Sequence, residues 1–194
     1  MGMPLSQHPE ARRWTADEVR ELIDEERAWP RYEFMDGELL VTPAPRPLHQ
    51  LAVTELLVLV ASYVKANAIG QAFASPADIE LEADSVVQPD VFVIPVGSGG
   101  RIRSWKDVTG LLLAIEVLSP ASVRNDRLKK RRYYMRNGVP EYWVVDIEAR
   151  LVERARPGDD RVELVDERIE WHPVGASEPL VIDLLAFFAE VGGE

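Results

Sequence analysis

Two carboxylates interrupt apolar runs that otherwise read as sheet interior, and no fold absorbs them without giving them partners. Asp90 follows Gln88-Pro89 and precedes Val91-Phe92-Val93-Ile94. Glu116 stands inside Leu111-Leu112-Leu113-Ala114-Ile115-Glu116-Val117-Leu118. An unpaired charge in such a segment costs on the order of several kcal/mol if buried alone. A residue of this kind is normally paired, hydrogen-bonded or bound to a metal. A third charge, Lys130, follows on a predicted helix. Two carboxylates from neighbouring strands and a lysine make a site for a divalent cation and a phosphate.

Composition bounds the reading. A chain of 194 residues suits one domain with a real core. It is 46% hydrophobic and 28% charged, the balance of a soluble globular protein. It has no cysteine, which excludes a disulfide framework and a thiolate metal site and fits a cytoplasmic setting. The N-terminus, Met1 to His8, lacks the apolar core of a signal peptide. The most apolar stretch, Leu51 to Val64, contains Thr54, Glu55 and Ser62, so it reads as a buried helix and no membrane is expected as a partner. The net charge of −11 opposes broad nonspecific binding of nucleic acid, which needs basic surface, but leaves room for a local basic patch.

The pattern divides the chain into a tail over 1–13 and a single domain over 14–194. Thr15-Ala16-Asp17-Glu18 reads as a capping box, and Val19, Leu22 and Ile23 share one face of the helix it opens. Trp29-Pro30 ends that helix. Asp36-Gly37 between Tyr32-Glu33-Phe34-Met35 and Glu38-Leu39-Leu40-Val41 predicts a hairpin. Pro43 to Pro47 is a stiff connector, and His49 starts a long apolar helix that ends before Gly70. Strands are expected over 71–83 and 88–95, then a loop from Gly97 to Lys106, then the Glu116 strand, which stops at Ser119-Pro120. Ser122 is placed to cap a helix over 123–136 that Gly138-Val139-Pro140 closes. Strands follow over 141–146, 150–156 and 161–165, and the last helix carries Leu184, Leu185, Phe187, Phe188 and Val191. The order indicates an α/β (α+β) sandwich.

If the Asp90 and Glu116 strands pair antiparallel, both carboxylates reach one face at one end of the sheet. Hard oxygen ligands suit Mg²⁺ or Mn²⁺, which can orient water and polarise a phosphoryl oxygen. The alternative makes Asp90 a turn cap and Glu116 a structural ion pair. Asp126 and Lys130 are four apart and face one way, as a site pair or an ordinary surface ion pair. The helix from Arg124 to Arg136 also holds Arg127, Lys129, Arg131 and Arg132 against the one acid Asp126. This patch either grips a phosphate backbone or is a solvated face paired with acids elsewhere. Arg101, Arg103 and Lys106 are weaker candidates for substrate contact. Glu38 is either a third carboxylate near the metal or a strand-edge charge. His49 either donates to a phosphate or to Glu38, or is a structural hydrogen bonder. Tyr134 and Trp143 read as core, while Tyr142 and Asp146 support the sheet end. No Ser-His-acid triad, Gly-rich phosphate loop or zinc spacing is visible.

These landmarks taken together resemble the Uma2 family (DUF820) of the restriction-endonuclease-like PD-(D/E)xK superfamily. They are Tyr32-Glu33 with Asp36-Gly37-Glu38, Pro43, His49-Gln50, Gln88-Pro89-Asp90, Glu116 to Pro120, Asp126, Lys130, Tyr134 and Gly138 to Asp146. The resemblance runs from Trp14 to the C-terminal helix. It implies a restriction-endonuclease-like mixed β-sheet flanked by helices, with an N-terminal helix and hairpin. It also implies a metal-dependent endonuclease, with Asp90 as the aspartate of the Pro-Asp motif and Glu116 as the second acid. The superfamily's lysine usually stands two residues after the second acid, where this chain has Leu118. The resemblance moves that role to Lys130, with Lys129 as the other candidate. Catalysis is thus expected of Asp90, Glu116, Lys130 and Glu38, metal binding of Asp90 and Glu116, and substrate contact of Lys129, Arg127 and His49. The expected cofactor is Mg²⁺ or Mn²⁺, the expected substrate nucleic acid, DNA ahead of RNA, and the expected assembly a homodimer. The competing reading is a binding or assembly protein that keeps the fold without turnover.

Overall fold

The computed structural model describes residues 13–23, 30–96 and 102–193. The expected tail up to residue 12, the helix end at Trp29 and the loop residue Arg101 lie outside the described residues. Helix α1 spans Ala16–Ile23. Its start is the expected capping box: the Thr15 amide donates to Glu18 Oε2 at 2.9 Å, and the Glu18 amide to Thr15 Oγ1 at 3.3 Å. Strands β1 (Arg31–Met35) and β2 (Glu38–Thr42) form the hairpin. Asp36 and Gly37 both take positive φ, 54° and 80°, as a two-residue turn of matching twist requires.

Helix α2 spans Pro47–Ala66, so it starts two residues before His49. Proline at the first helical position loses no hydrogen bond and has φ already set. Strands β3 (Gly70–Ala74), β4 (Val91–Pro95) and β5 (Leu113–Val117) follow. The strand expected over 71–83 ends at Ala74, because Pro76 cannot donate to a ladder. Ser75 turns instead to the next segment, its amide on Asp90 O at 3.2 Å and its hydroxyl on Pro89 O at 2.7 Å.

After β5 the chain forms a π-helical turn, Asn125–Lys130, that runs into α3, Arg131–Arg136. The helix starts at 123 as expected, with Ser122 O accepting the Asp126 amide at 2.9 Å, but the Ser122 hydroxyl accepts from the Ser119 amide at 3.0 Å and not from the helix's first amides. Gly138 closes α3, with the Val139 amide on Tyr134 O and the Gly138 amide on Met135 O. Strands β6 (Tyr142–Asp146), β7 (Leu151–Ala155) and β8 (Glu163–Val165) complete a six-stranded sheet of order β3-β4-β5-β6-β7-β8. Neighbours are antiparallel except β5 and β6, whose parallel pairing needs the helical crossover between them. A separate pair, β9 (Arg168–Trp171) and β10 (Leu180–Asp183), was not anticipated, and it leads into α4 (Leu184–Gly192).

Alternation along the strands sorts side chains to two faces. Val91, Val93, Leu113, Ile115, Val117, Trp143 and Val145 pack with α2, β9, β10 and α4. Phe92, Ile94, Ala114, Tyr142 and Val144 pack with Tyr133, Tyr134 and the hairpin residues Met35 and Leu40. By the same alternation Glu116 belongs to the second face. Helix α2 is long and apolar enough to cross a membrane by length and composition. Only one stripe of it, Ala52, Val53, Leu56, Val60 and Val64, is buried against the sheet, so the buried helix read from sequence is a half-buried one.

Gly70 allows the closest approach in the sheet: a Cβ there would sit 2.3 Å from Ile94 O. Gly70→Ala should therefore destabilise the protein by about 1–3 kcal/mol, the usual range for overpacking. Gly110→Ala, where a Cβ would meet nothing within 4 Å, should leave the denaturation midpoint unchanged. Urea unfolding of both variants checks this.

Candidate active site

The register brings the two carboxylates together. Val91 pairs with Ile115, so Asp90 and Glu116 are the next residues along antiparallel neighbours. Asp90 Oδ2 accepts the Val117 amide at 2.9 Å, which ties the start of β4 to β5. The same oxygen is 3.1 Å from His49 Nε2 at the start of α2, while Oδ1 faces Arg31 Nη1 at 3.8 Å. Burial pushes the Asp90 carboxyl up, but the His49 hydrogen bond and the nearby charges outweigh it and hold the group below its ordinary value.

Lys130 is the hub. The residue is 4% exposed, and its ammonium lies 2.9 Å from Glu33 Oε1, 3.0 Å from Glu116 Oε1 and 3.5 Å from Asp126 Oδ1. Burial favours a neutral lysine, yet Glu116, Glu33 and Asp126 outweigh that and raise its pKa well above the ordinary value. Glu116 is pushed well up by burial and by Asp126, Asp90 and Glu33, against the pull of Lys130. Asp126 is pushed up to about 6, mainly by burial. Tyr134, one helical turn past Lys130, donates its hydroxyl to Glu116 Oε1 at 3.3 Å. Tyr142 donates to Asp126 O at 2.9 Å and so fastens the π-helical turn to β6.

These groups floor an open cavity of about 440 Å³ lined also by the Pro43–Pro47 connector and the 118–122 loop. Among the described residues, no group of three or more His, Cys, Asp or Glu is arranged as a metal cage. The donor set still fits a cation that keeps water. Asp90 Oδ1 and Glu116 Oε2 are not spent on hydrogen bonds to described residues. Asp126 Oδ1 and Gln88 Oε1 are buried acceptors that receive none. The acids lining the cavity, Glu33, Asp90, Glu116, Asp126 and Glu148, outnumber its cations Arg31, Arg46 and Lys130. A hard cation held by one or two carboxylates, with water and phosphate completing its shell, is the arrangement Mg²⁺ favours.

The sequence-predicted residues divide. Asp90, Glu116, Lys130 and His49 line the cavity. Glu38 does not: it is 59% exposed on the hairpin and pairs with Lys129, so it is a strand-edge charge and Lys129 points away from the floor. Arg127 bonds Asp146 Oδ2 at 2.8 Å and Glu153, outside the cavity. Arg136 is taken by Glu82 and Asp36. Four of the helix's basic residues, Arg127, Lys129, Lys130 and Arg136, are thus paired with acids of the chain, while Arg124 and Arg132 are exposed. Asp126 with Lys130 is a buried pair, not a surface one. Sequence reasoning missed Glu33 as a site residue. Besides meeting Lys130, Glu33 Oε1 accepts the Gln88 amide at 2.7 Å, fixing the segment that carries Asp90. The one signal for it was a charge between Tyr32 and Phe34 in a strand-like run.

The profile of the Uma2 family, described as "Putative restriction endonuclease", matches residues 16–183. No curated protein matches the chain. Among solved structures, the chain is similar to a putative nuclease belonging to DUF820 from Anabaena variabilis, at 23% identity. The alignment covers 92% of this chain and 99% of that one, with a TM-score of 0.71. At that identity the likeness establishes the fold, the mixed sheet flanked by helices expected from the sequence.

Removing the hub should expose the repulsion it offsets. Lys130→Met should cost about 3–5 kcal/mol at pH 7, the usual loss when one partner of a buried ion cluster is deleted. Asp126 is raised in the folded state, so that state holds a proton the unfolded chain has lost between pH 4 and 6. Its contribution to stability therefore falls as pH rises through that window. Asp126→Asn should flatten this slope, as read from urea midpoints at pH 4.5 and pH 7.

Proposed function

The chain belongs to the Uma2 family, and on that premise we propose that it is a metal-dependent endonuclease that hydrolyses phosphodiester bonds in nucleic acid, DNA ahead of RNA. The observation that carries this reading is the buried Lys130 ammonium held among Glu33, Glu116 and Asp126 beside Asp90, at the floor of a cavity open to solvent. Asp90 and Glu116 are the residues to hold Mg²⁺ or Mn²⁺. Bound there, such a cation supplies a water of lowered pKa and polarises a phosphoryl oxygen.

The protein's own groups do the rest. The Val117 amide and His49 keep Asp90 ionised and oriented. His49 has its Nε2 on Asp90 at 3.1 Å and its Nδ1 buried without a hydrogen bond. Its role is therefore to position Asp90 rather than to grip substrate. Tyr134 holds Glu116. Lys130 stays protonated and offers a fixed positive charge to the oxygens that gain charge at phosphorus. Glu33 positions both Lys130 and the Asp90 segment.

A second reading, a binding or assembly protein that has kept the fold, draws support from the pairing of Arg127, Lys129 and Arg136 with acids of the chain. The two separate cleanly. Wild-type protein should bind Mn²⁺ by calorimetry and cleave an oligonucleotide in its presence. Asp90→Ala should lose both while keeping its circular dichroism. Cleavage that survives in Asp90→Ala defeats the assignment, and a wild type that ignores Mn²⁺ favours the second reading. Glu33→Gln should lower kcat and shift the alkaline limit of activity to lower pH. It removes a carboxylate that faces Lys130, while Glu116, Asp126 and Asp90 remain around it.

A further inference from the structure

Resting on the nuclease reading, we propose that the cavity takes one unpaired nucleotide, its phosphate over the charged floor and its base against an apolar wall. The substrate is then a single strand or a locally opened duplex, not a continuous double helix.

The wall is the first ground. The cavity lining includes Pro43, Pro45 and Pro47 of the connector together with Leu118, Pro120 and Ile147. Proline fixes φ, so the connector presents a stiff apolar surface at little entropic cost on binding. Apolar side chains in the lining are what an unstacked base needs to replace its lost neighbours. A cavity of about 440 Å³ is of small-molecule size and cannot admit the width of a duplex.

Charge is the second ground. A protein that tracks a duplex neutralises several phosphates with available cations. On the crossover helix Arg127, Lys129 and Arg136 are held by internal acids, and Arg124, Arg131 and Arg132 do not line the cavity. At the cavity itself Lys130 is ringed by Glu33, Glu116 and Asp126, Arg31 faces Asp90, and Arg46 is exposed. That set serves one phosphate, on a chain whose net charge is −11.

The test is cleavage, with Mn²⁺ present, of one labelled sequence in three forms: single strand, continuous duplex, and duplex with a central unpaired bulge. The single strand and the bulge should be cut at least roughly tenfold faster than the duplex, because opening the helix is then no longer charged against binding. The salt dependence of single-strand binding should be shallow, with a log–log slope of about −1. Ala44→Trp, which crowds the mouth, should slow single-strand cleavage while Mn²⁺ binding and the melting temperature stay at wild-type values. A duplex cut as fast as the single strand overturns this proposal and leaves the nuclease reading standing. Unchanged cleavage by Ala44→Trp also overturns it. No cleavage of any form by Mn²⁺-loaded protein overturns both.

Discussion

The ammonium of Lys130 is the point on which three separate parts of the chain converge. Glu33 comes from the hairpin, Glu116 from the middle of the sheet, and Asp126 from the π-helical turn. The hairpin forms its own two-stranded sheet, and its backbone meets the body through paired hydrogen bonds between Phe34 and Val86. Glu33 adds the contacts to Lys130 and the Gln88 amide beside them. Without the charge at the centre, three buried carboxylates would face one another, and the hairpin would lose one of its polar anchors. A buried ion cluster seldom adds net stability over apolar packing, because desolvation consumes the attraction. Its persistence in the core is better explained by what the site does than by what it contributes to folding.

The π-helical turn explains how the lysine gets there. A π turn is rare and recurs at functional sites because the wider turn re-aims side chains. Here it runs from Asn125 to Lys130 and buries both Asp126 and Lys130. The change to α geometry at Arg131 then lets Tyr133 and Tyr134 pack under the sheet and sets the Tyr134 hydroxyl on Glu116. The lysine is absent from the strand, where Leu118 stands, and is delivered from the helix. The Tyr142 hydroxyl on Asp126 O braces the turn that makes the delivery.

How much of this was legible in the sequence follows from the physics of each signal. Asp90 and Glu116 were visible because charge in an apolar run is costly, and strand alternation placed Glu116 on one face. Glu33 was not, because a charge in a short hairpin looks the same whether it faces solvent or core until the hairpin docks. Glu38 drew attention beside the turn, yet its exposed position leaves it paired with Lys129. The choice between Lys129 and Lys130 depends on the π turn, which no residue pattern announces. The basic helix looked like a phosphate grip because its counter-ions, Asp146, Glu153, Glu38 and Glu82, are distant in sequence. Strands β9 and β10 were missed because the segment joining them, 172–179, breaks the alternation with Pro173 and Gly175.

The local charge balance links stability to function. Glu33, Asp90, Glu116 and Asp126 exceed the cations near them, and burial raises Glu116 and Asp126 further. A fold optimised for stability alone would remove one of these acids. On the proposed nuclease reading the surplus has a use, since a bound divalent cation would relieve it and a phosphate would then meet a centre near neutrality. Strained ionisation of this kind is characteristic of functional sites, where a protein gives up stability for chemistry. The same reasoning accounts for Arg127, Lys129 and Arg136 being paired with acids away from the floor. Placed free beside the floor, they would satisfy the carboxylates themselves and leave no need for a cation.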